Sequence, residues 1–470
     1  MNSVTATATP SRFETGSFRD RDGRVFYDGS RVCRALSPYA AGQWRAVSVK
    51  PFFKRLAAGQ KIVGTTESSS EVLPEGKWEM VLEHERIPFV SYPYEWTFSM
   101  LRDAALLHLE ILLDALEDGF TLKDASPYNV QWVGSRPVFI DISSFEVLEA
   151  GSPWTGYRQF CEMFLYPLLL QSYRDIPFQP WLRGSIDGIP ADVCSQMLSA
   201  RDYFRSGVLK DVVIHARLQN SLGDSPANAK RNLEQAGFSS ELIRHNLRRL
   251  HKIVSGLEWR RTSSTWARYA STHSYSGSDQ EAKENFVAAF TSSRAPNTVW
   301  DLGCNTGSYS RIAARENAYV LAIDADSLAV DLLYRALREE KSDRILPLTM
   351  NLTDPSPAMG WLLAERKPMR ERGRPDLVLA LALIHHLVIG ANVPLPDVVA
   401  WMASLGGDLI IEFVSRDDAM VGKLLRNKRD NYVDYSRENL ESALSAYFTI
   451  ESTLDLASGT RTLYACRRTN

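Results

Sequence analysis

Two hydrophobic patterns alternate along the last part of the chain, over roughly 200 residues, which is the scale of a single domain. Short apolar runs, typical of strands, are separated by stretches in which apolar residues recur at helical spacing. One run is almost continuously apolar, as expected of a strand buried on both faces of a parallel sheet. The predicted strands are 299–302, 319–323, 345–350, 375–383 and 408–411, and the predicted helices are 308–316, 327–340 and 395–405.

This alternation predicts a doubly wound α/β sheet that binds its ligand over the carboxyl ends of the strands. Two later runs, 448–454 and 460–466, predict an antiparallel pair that closes the sheet.

The first half of the chain has a different pattern, which predicts an α+β fold. Residues 23–36 alternate around Asp28-Gly29, a strong signal for a β-hairpin. Further strands are predicted at 78–83 and 89–92, and helical spacing predicts a helix at 98–117.

The length of 470 residues favours two domains over one core. A helical tract at 228–234 and 239–256 joins the two patterns. We therefore predict a first domain at 1–225, a helical linker at 226–275 and a second domain at 276–470.

Composition is compatible with a cytoplasmic enzyme. The chain has 54 lysine and arginine residues and 56 acidic residues, so it lacks the excess of positive charge that would indicate a nucleic-acid partner. The five cysteines are scattered without metal-ligand spacing, which fits reduced thiols. The first ten residues lack the basic start and apolar core of a signal peptide, and no apolar stretch is long enough to span a membrane.

The most informative stretch is Asp301-Leu-Gly-Cys-Asn-Thr-Gly307, where a strand enters a glycine turn and then a helix. Gly303 and Gly307 remove Cβ atoms where the backbone and a ligand must approach closely. Asp324 ends the next strand, where a carboxylate can accept hydrogen bonds from both ribose hydroxyls of an adenosine. Asn351 and Leu352 follow the third strand, where they can flank an adenine ring.

Together with Leu381-Ala-Leu-Ile-His-His386, these motifs resemble those of class I S-adenosylmethionine-dependent methyltransferases, which have a Rossmann-like sheet. Asn305 stands where that family has its central glycine, and asparagine tolerates unusual backbone angles better than other residues with a Cβ. Ser310 and Arg311 occupy the region where an NAD site would need another glycine. The resemblance implies S-adenosylmethionine as cofactor, bound by Asp301, Gly303, Asn305, Gly307, Asp324, Asn351, Leu352 and Leu381.

Methyl transfer demands little of the side chains, because the sulfonium already activates the methyl group. The protein aligns the acceptor and, for a hydroxyl or amine, removes a proton. His385 and His386 are the candidate bases, since they lie just beyond the fourth strand. Glu412 is another candidate, with a salt bridge to Arg416 or Lys423 as the alternative role.

Aromatic residues and a lysine precede this domain. In the methyltransferase family such a segment often forms a lid over the cofactor, and packing against the sheet edge is the alternative. The residues are Trp266, Tyr269, Tyr275 and Lys283.

A second motif lies in the first half, where Asp124, Asn129 and Asp141 are spaced like the catalytic and metal-binding loops of the protein-kinase and aminoglycoside-phosphotransferase superfamily. That resemblance implies Asp124 as a phosphotransfer base and Asn129 and Asp141 as magnesium ligands beside ATP. Leu122 stands where the family has histidine, and no convincing glycine-rich loop is present. The alternative is a kinase-like scaffold without phosphotransfer activity.

The combined layout resembles bacterial methyltransferases with nodulation or surface-polysaccharide roles. It implies an S-adenosylmethionine-dependent methyltransferase (EC 2.1.1) that acts on a hydroxyl of a carbohydrate or small-molecule acceptor. The alternatives are a bifunctional methyltransferase-kinase and a non-catalytic adaptor with vestigial ligand sites. The acceptor and the oligomeric state stay open.

Overall fold

A computed structural model describes residues 13–68, 76–217, 240–263, 277–426, 428–429 and 431–469. The predicted helix at 228–234, the aromatic residues Trp266, Tyr269 and Tyr275, and the other linker residues within 226–239 and 264–275 lie outside the described residues.

The first half contains a four-stranded antiparallel sheet and two small strand pairs. The sheet order is β1-β2-β4-β3, and its first hairpin turns at the predicted Asp28-Gly29, with Gly29 at a φ of +60°. The strands are β1 Gly23–Asp28, β2 Arg31–Leu36, β3 Thr65–Glu67, β4 Met80–His84, β5 Phe120–Leu122, β6 Val130–Val133, β7 Arg136–Phe139 and β8 Phe145–Val147.

The second half is built on one seven-stranded sheet of order β11-β10-β9-β12-β13-β15-β14. The first five strands are parallel, and β15 joins β13 in antiparallel register. The strands are β9 Thr298–Leu302, β10 Tyr319–Asp324, β11 Ile345–Thr349, β12 Leu377–Ala380, β13 Asp408–Val414, β14 Phe448–Asp455 and β15 Arg461–Arg468. The predicted doubly wound sheet is confirmed, including its closing antiparallel pair.

The helices predicted at 98–117, 308–316, 327–340 and 395–405 are present, while the first half contains further helices that were not predicted. The predicted helix at 98–117 is α3, and its N-terminus is capped by the hydroxyl of Thr97. The helices are α1 Pro38–Ser48, α2 Pro51–Ala58, α3 Phe98–Glu117, α4 Tyr157–Phe160, α5 Tyr166–Arg174, α6 Gln179–Gly184, α7 Ala191–Met197, α8 Ser240–Ser255, α9 Gly277–Arg294, α10 Ser308–Ala314, α11 Ser327–Glu339, α12 Leu395–Ser404, α13 Ala419–Leu425 and α14 Arg437–Ser445.

The two faces of the seven-stranded sheet are buried by different parts of the chain. Val299 and Val320 share a core with α9, α10 and part of α11. Trp300 and Leu321, which point to the other face, belong to the large core that also contains the first half. Within 350–376, between β11 and β12, the chain forms only short 3₁₀ turns and no α-helix that would cover this face.

Helices α12 and α14 of the second half and aromatic residues of the first half share the core on this face. The ring of Phe89 packs edge-on against Trp300 on β9 at 6.0 Å, and Trp132 packs edge-on against Tyr334 on α11 at 5.5 Å. Because the apolar face of a sheet must be buried against another element, the first half completes the fold of the second.

A buried ion pair connects the two halves. Nη1 of Arg372 donates to Oε2 of Glu95 at 2.8 Å, and both side chains are only 1% exposed. The guanidinium also lies over the rings of Phe89 and Tyr92, at 4.9 and 4.7 Å from their centroids. The charge is therefore paired and shielded, as a buried ion requires.

The strand predicted at 89–92 is wrong. The amide of Ser91 donates to Gln131 and that of Tyr92 to Glu95, so side chains satisfy the backbone here in place of a strand partner. The aromatic residues Phe89 and Tyr92 pack against Arg372 of the second half instead, a tertiary contact that the local sequence pattern does not predict.

The proposed domain boundaries and the kinase-like character of the first half stay predictions. Among the described residues, no helix is long and apolar enough to cross a membrane.

We expect the Glu95→Ala substitution to lower the free energy of unfolding by about 3 kcal/mol or more, since it leaves the Arg372 charge buried without a partner. Urea denaturation followed by circular dichroism measures this change. The Arg183→Ala variant is the control, because it removes an ion pair to Asp354 that also joins the halves but is exposed. That variant should lose less than about 1 kcal/mol. Equal losses in both variants would contradict a special role of the buried pair.

Candidate active site

The glycine turn after β9 adopts a left-handed backbone at three positions. Gly303 and Gly307 both have a φ of +80°, and Asn305 has a φ of +49°. The amides of Gly303 and Cys304 donate to the carbonyl of Ile323, at 2.8 and 3.0 Å, which ties the turn to β10. Asparagine is tolerated in this conformation, so Asn305 makes the turn without the family's glycine.

Neighbouring side chains explain why two positions of the turn are glycine. A Cβ on Gly307 would lie 2.6 Å from Leu333, and one on Gly303 would lie 3.3 Å from Leu383. The turn is therefore packed closely between α11 and the segment that follows β12.

Asp301 is buried at the carboxyl end of β9. The hydroxyl of Ser310 donates to Oδ2 of Asp301 at 2.5 Å. Burial raises the pKa of Asp301 to about 7, so the site holds a carboxyl group whose charge depends on what binds beside it.

Asp324 ends β10 and is held by backbone amides. The amide of Asn305 donates to its Oδ2 at 2.9 Å, and that of Asp326 donates to its Oδ1 at 2.8 Å. These bonds fix the carboxylate and leave further lone pairs for a diol. Asp301, the glycine turn and Asp324 thus lie together at adjacent strand ends.

Asn351 and Leu352 follow β11 on the same edge of the sheet. The amide of Met350 donates to the carbonyl of Asp324 at 2.9 Å, which joins this segment to β10. Oδ1 of Asn351 accepts bonds from the amide and hydroxyl of Thr353, at 3.0 and 2.8 Å. Its side chain therefore stabilises a local turn as well as lining the edge.

Leu381 follows the end of β12 and is buried. His385 and His386 come next, with ring centroids 4.0 Å apart. His386 begins a π-helical turn, His386–Gly390, and is partly exposed, whereas His385 is buried. Burial, followed by the charge of Arg461, lowers the pKa of His386 to about 4. Burial and the His386 ring also lower the pKa of His385, so both rings are neutral near pH 7.

Glu412 on β13 is buried in a network of charges. Its Oε2 accepts from Nζ of Lys283 at 2.7 Å, and its Oε1 accepts from Nη1 of Arg461 at 3.0 Å. The amide of Ala382, which has a φ of +50°, also donates to Oε2 at 2.8 Å. Burial opposes ionisation, but Lys283 and Arg461 together hold the pKa of Glu412 below its ordinary value.

This geometry does not suit the predicted role of Glu412 as a base, because both of its oxygens are engaged and its charge is neutralised. Its partners are also not the predicted Arg416 and Lys423. Glu412 instead fixes the left-handed peptide of Ala382, which leads into the histidine pair.

Lys428 stabilises the turn that carries the histidines. Nζ of Lys428 donates to the carbonyls of Ile389 and Gly390 and to Oδ1 of Asn392, the last two at 3.0 and 3.1 Å. Cations stabilise the last carbonyls of a helix in this way.

The predicted magnesium site in the first half does not fit its surroundings. Nη1 of Arg34 donates to Oδ1 of Asp141 at 2.9 Å, so a guanidinium already neutralises that carboxylate. Burial, followed by the charge of Asp141, raises the pKa of Asp124, and Nδ2 of Asn129 has no partner among the described residues. Within the described part of the chain, no group of three or more acidic, histidine or cysteine residues is arranged to hold a metal.

We expect Glu412→Ala to lower the free energy of unfolding by about 3 kcal/mol or more, because Lys283 and Arg461 would stay buried without their shared anion. Thermal and urea denaturation measure the loss.

Glu340→Ala is the matched control, since it removes an exposed pair with Arg311 in the same half. It should cost less than about 1 kcal/mol. A Glu412→Ala variant as stable as this control would mean that the network contributes nothing to the fold.

No family model matches the chain. Among solved structures, it is similar to the N-methyltransferase NodS from Bradyrhizobium japonicum WM9, at 14% identity, with 41% of this chain and 98% of that chain covered and a TM-score of 0.30. Magnesium protoporphyrin IX methyltransferase (ChlM) from Synechocystis PCC 6803 gives 17% identity, coverage of 43% and 93%, and a TM-score of 0.31. Similarity at this level carries no functional inference, and the description of the fold rests on the strand order.

Comparison of sequences is more informative. The chain is 37% identical to the nodulation protein NoeA of Rhizobium meliloti (strain 1021) over 478 aligned positions, which cover 99% of this chain and 98% of that protein. The chain therefore belongs to the family of the nodulation protein NoeA.

Proposed function

We propose that the chain is an S-adenosylmethionine-dependent methyltransferase. This proposal is supported by one observation, that Asp301, the left-handed turn and Asp324 lie together at the neighbouring carboxyl ends of β9 and β10. Ligands of open α/β sheets bind at this edge. A fixed carboxylate at the second strand suits a ribose diol, and a close glycine turn suits the remainder of an extended nucleoside ligand.

In this proposal, Gly303 and Gly307 would let the backbone approach the methionine part of the cofactor, and Asp301 would help to hold the same part. Asp324 accepts bonds from the ribose hydroxyls. Asn351 and Leu352 flank the adenine, and Leu381 lines the side of β12. The cofactor supplies an activated methyl group, so the protein contributes alignment and proton removal.

We propose His386 as the group that takes the proton of the acceptor. It is neutral near pH 7 and is the more exposed of the two histidines. His385 and Glu412 act as positioning residues, because His385 is buried with its ring 4.0 Å from that of His386 and Glu412 fixes the Ala382 peptide that leads to the pair. A base serves a hydroxyl and an amine acceptor alike, and we propose a hydroxyl of a carbohydrate or other small molecule as the acceptor.

For the first half, we propose a scaffold in place of a phosphotransferase. The pairing of Arg34 with Asp141 supports this proposal, since it removes the carboxylate that a magnesium ion would require. No step of the reaction is assigned to ATP.

We expect S-adenosylhomocysteine to bind the full-length protein and Asp324→Ala to weaken that binding by at least about tenfold, the cost of losing a charge-assisted hydrogen bond to the ribose. Isothermal titration calorimetry measures both affinities. Asp343→Ala, which changes an exposed acid beyond the far end of α11, should bind like the unchanged protein. Absence of binding, or equal affinity for all three proteins, would refute the proposed cofactor site.

We expect the ring of His386 to stay neutral as the pH falls from 8 to about 5.5, because its pKa lies near 4 and not near the ordinary 6.5. A base with a lowered pKa remains able to accept a proton over this whole range and loses that ability only as the pH falls through about 4. Nuclear magnetic resonance of ¹³C-labelled histidine follows the titration, and the His386→Ala spectrum identifies the signal.

The same variant tests the role in catalysis. With labelled S-adenosylmethionine and cell-extract fractions as the acceptor source, His386→Ala should reduce methyl incorporation by about a hundredfold while it keeps cofactor affinity. His245→Ala, at an exposed position on α8, is the control and should keep full incorporation. Full incorporation by His386→Ala would exclude this histidine as the base.

A further inference from the structure

Three consecutive large apolar side chains stand exposed between β11 and β12. Trp361, Leu362 and Leu363 are 66%, 80% and 68% exposed. Single exposed apolar residues are ordinary on protein surfaces, but a contiguous group marks an interaction site. We call these three residues the apolar tip.

The backbone of the apolar tip is held in an unfavourable conformation. Leu362 and Leu363 have φ values of +55° and +54°, in the left-handed region that residues with a Cβ avoid. Met359 and Arg366 exchange two backbone hydrogen bonds of 3.0 Å at the base of the tip, and Oε2 of Glu365 accepts the amide of Trp361 at 3.1 Å. A strained backbone of this kind persists only where the surrounding structure imposes it. Here it leaves both leucine side chains exposed.

The base of the tip is anchored to the first half. The hydroxyl of Thr15 donates to the carbonyl of Ala364 at 2.6 Å, and Arg366 donates to the hydroxyl of Tyr128 at 2.9 Å. Nη2 of Arg19 donates to Oε2 of Glu365 at 3.0 Å. The tip is therefore presented on a fixed base.

The charge around the tip is predominantly positive. Residues 365–374 contain five basic and two acidic residues, but the side chains of Arg366 and Arg372 are buried. At the surface, the side chain of Arg370 is 78% exposed and that of its ion-pair partner Glu371 is 55% exposed. Glu365 is only 7% exposed and pairs with Arg19, which is 57% exposed. The basic side chains beside the tip thus reach solvent further than the acidic ones.

We propose that the apolar tip docks the protein on an anionic lipid bilayer. Tryptophan prefers the boundary between headgroups and acyl chains, and leucines enter the acyl region beside it. Exposed basic side chains add attraction to anionic headgroups.

A second copy of the chain fits the tip less well. Three side chains on a protruding turn fall short of the roughly 800 Å² per partner that a stable protein interface buries. A bilayer needs no matching pocket, and a few interfacial side chains with neighbouring positive charge suffice for reversible binding.

The test is co-sedimentation of the full-length protein with vesicles of phosphatidylcholine alone or mixed with phosphatidylserine. We expect binding to the anionic vesicles, and a loss of affinity of about tenfold or more in the Leu362→Ser/Leu363→Ser variant, since each leucine buries a whole apolar side chain in the bilayer. Phe204→Ser is the matched control, because Phe204 is 95% exposed elsewhere on the first half, and it should bind like the unchanged protein.

Failure of the unchanged protein to bind anionic vesicles would overturn the proposal, as would equal binding by the tip variant. Sedimentation velocity without lipid tests whether a second copy of the chain binds the tip. A concentration-dependent dimer that Leu362→Ser abolishes would assign the tip to self-association. All substituted positions are exposed, and melting curves that match the unchanged protein show that the fold is retained.

Discussion

The requirement to bury both faces of the parallel sheet shapes the whole molecule. On one face, α9 to α11 meet this requirement within the second half. On the other, α12 and α14 share the core with the first half, the chain between β11 and β12 supplies no α-helix in the described residues, and Phe89 of the first half packs against Trp300 on β9. The Glu95–Arg372 pair fixes the contact at a point where neither charge reaches water. The first half is therefore part of the framework that holds the strand ends in place.

A second set of buried charges organises the site itself. Glu412 lies between Lys283 on α9 and Arg461 on β15, and it also holds the peptide of Ala382. One carboxylate thus connects the helix before the sheet, the closing strand and the segment that bears the histidines. The positive charge of Arg461 contributes, after burial, to keeping His386 neutral. Stability and the proposed chemistry depend on the same charges, so the network constrains both.

Sequence patterns predicted the elements better than the contacts between them. The strands and helices of the second half, the turn at Asp301 to Gly307 and the position of Asp324 follow from local periodicity and residue type. Ser310 lies one helical turn beyond the glycine turn, and its hydroxyl donates to Asp301. Because the two residues are close in sequence, this hydrogen bond could have been predicted from the local pattern. Arg461 lies on the closing strand, far along the chain from Glu412, and no local pattern indicates their pairing. The strand expected at 89–92 failed for the same reason, since its aromatic residues are explained by a contact with the other half.

Hydrogen exchange of the full-length chain in increasing urea, with and without S-adenosylmethionine, tests the central claim that the seven-stranded sheet and the first half form one cooperative unit. Peptides from α3 and β10 report on the two halves. A ligand that binds only the folded state stabilises every element that unfolds with its site. We predict that both peptides lose protection at the same urea concentration and that the cofactor shifts both midpoints equally. A cofactor-induced shift of the urea midpoint in the β10 peptide alone would contradict a shared core, and so would protection of β10 at urea concentrations where α3 has lost it. If the cofactor shifted neither midpoint, the result would contradict the proposed cofactor.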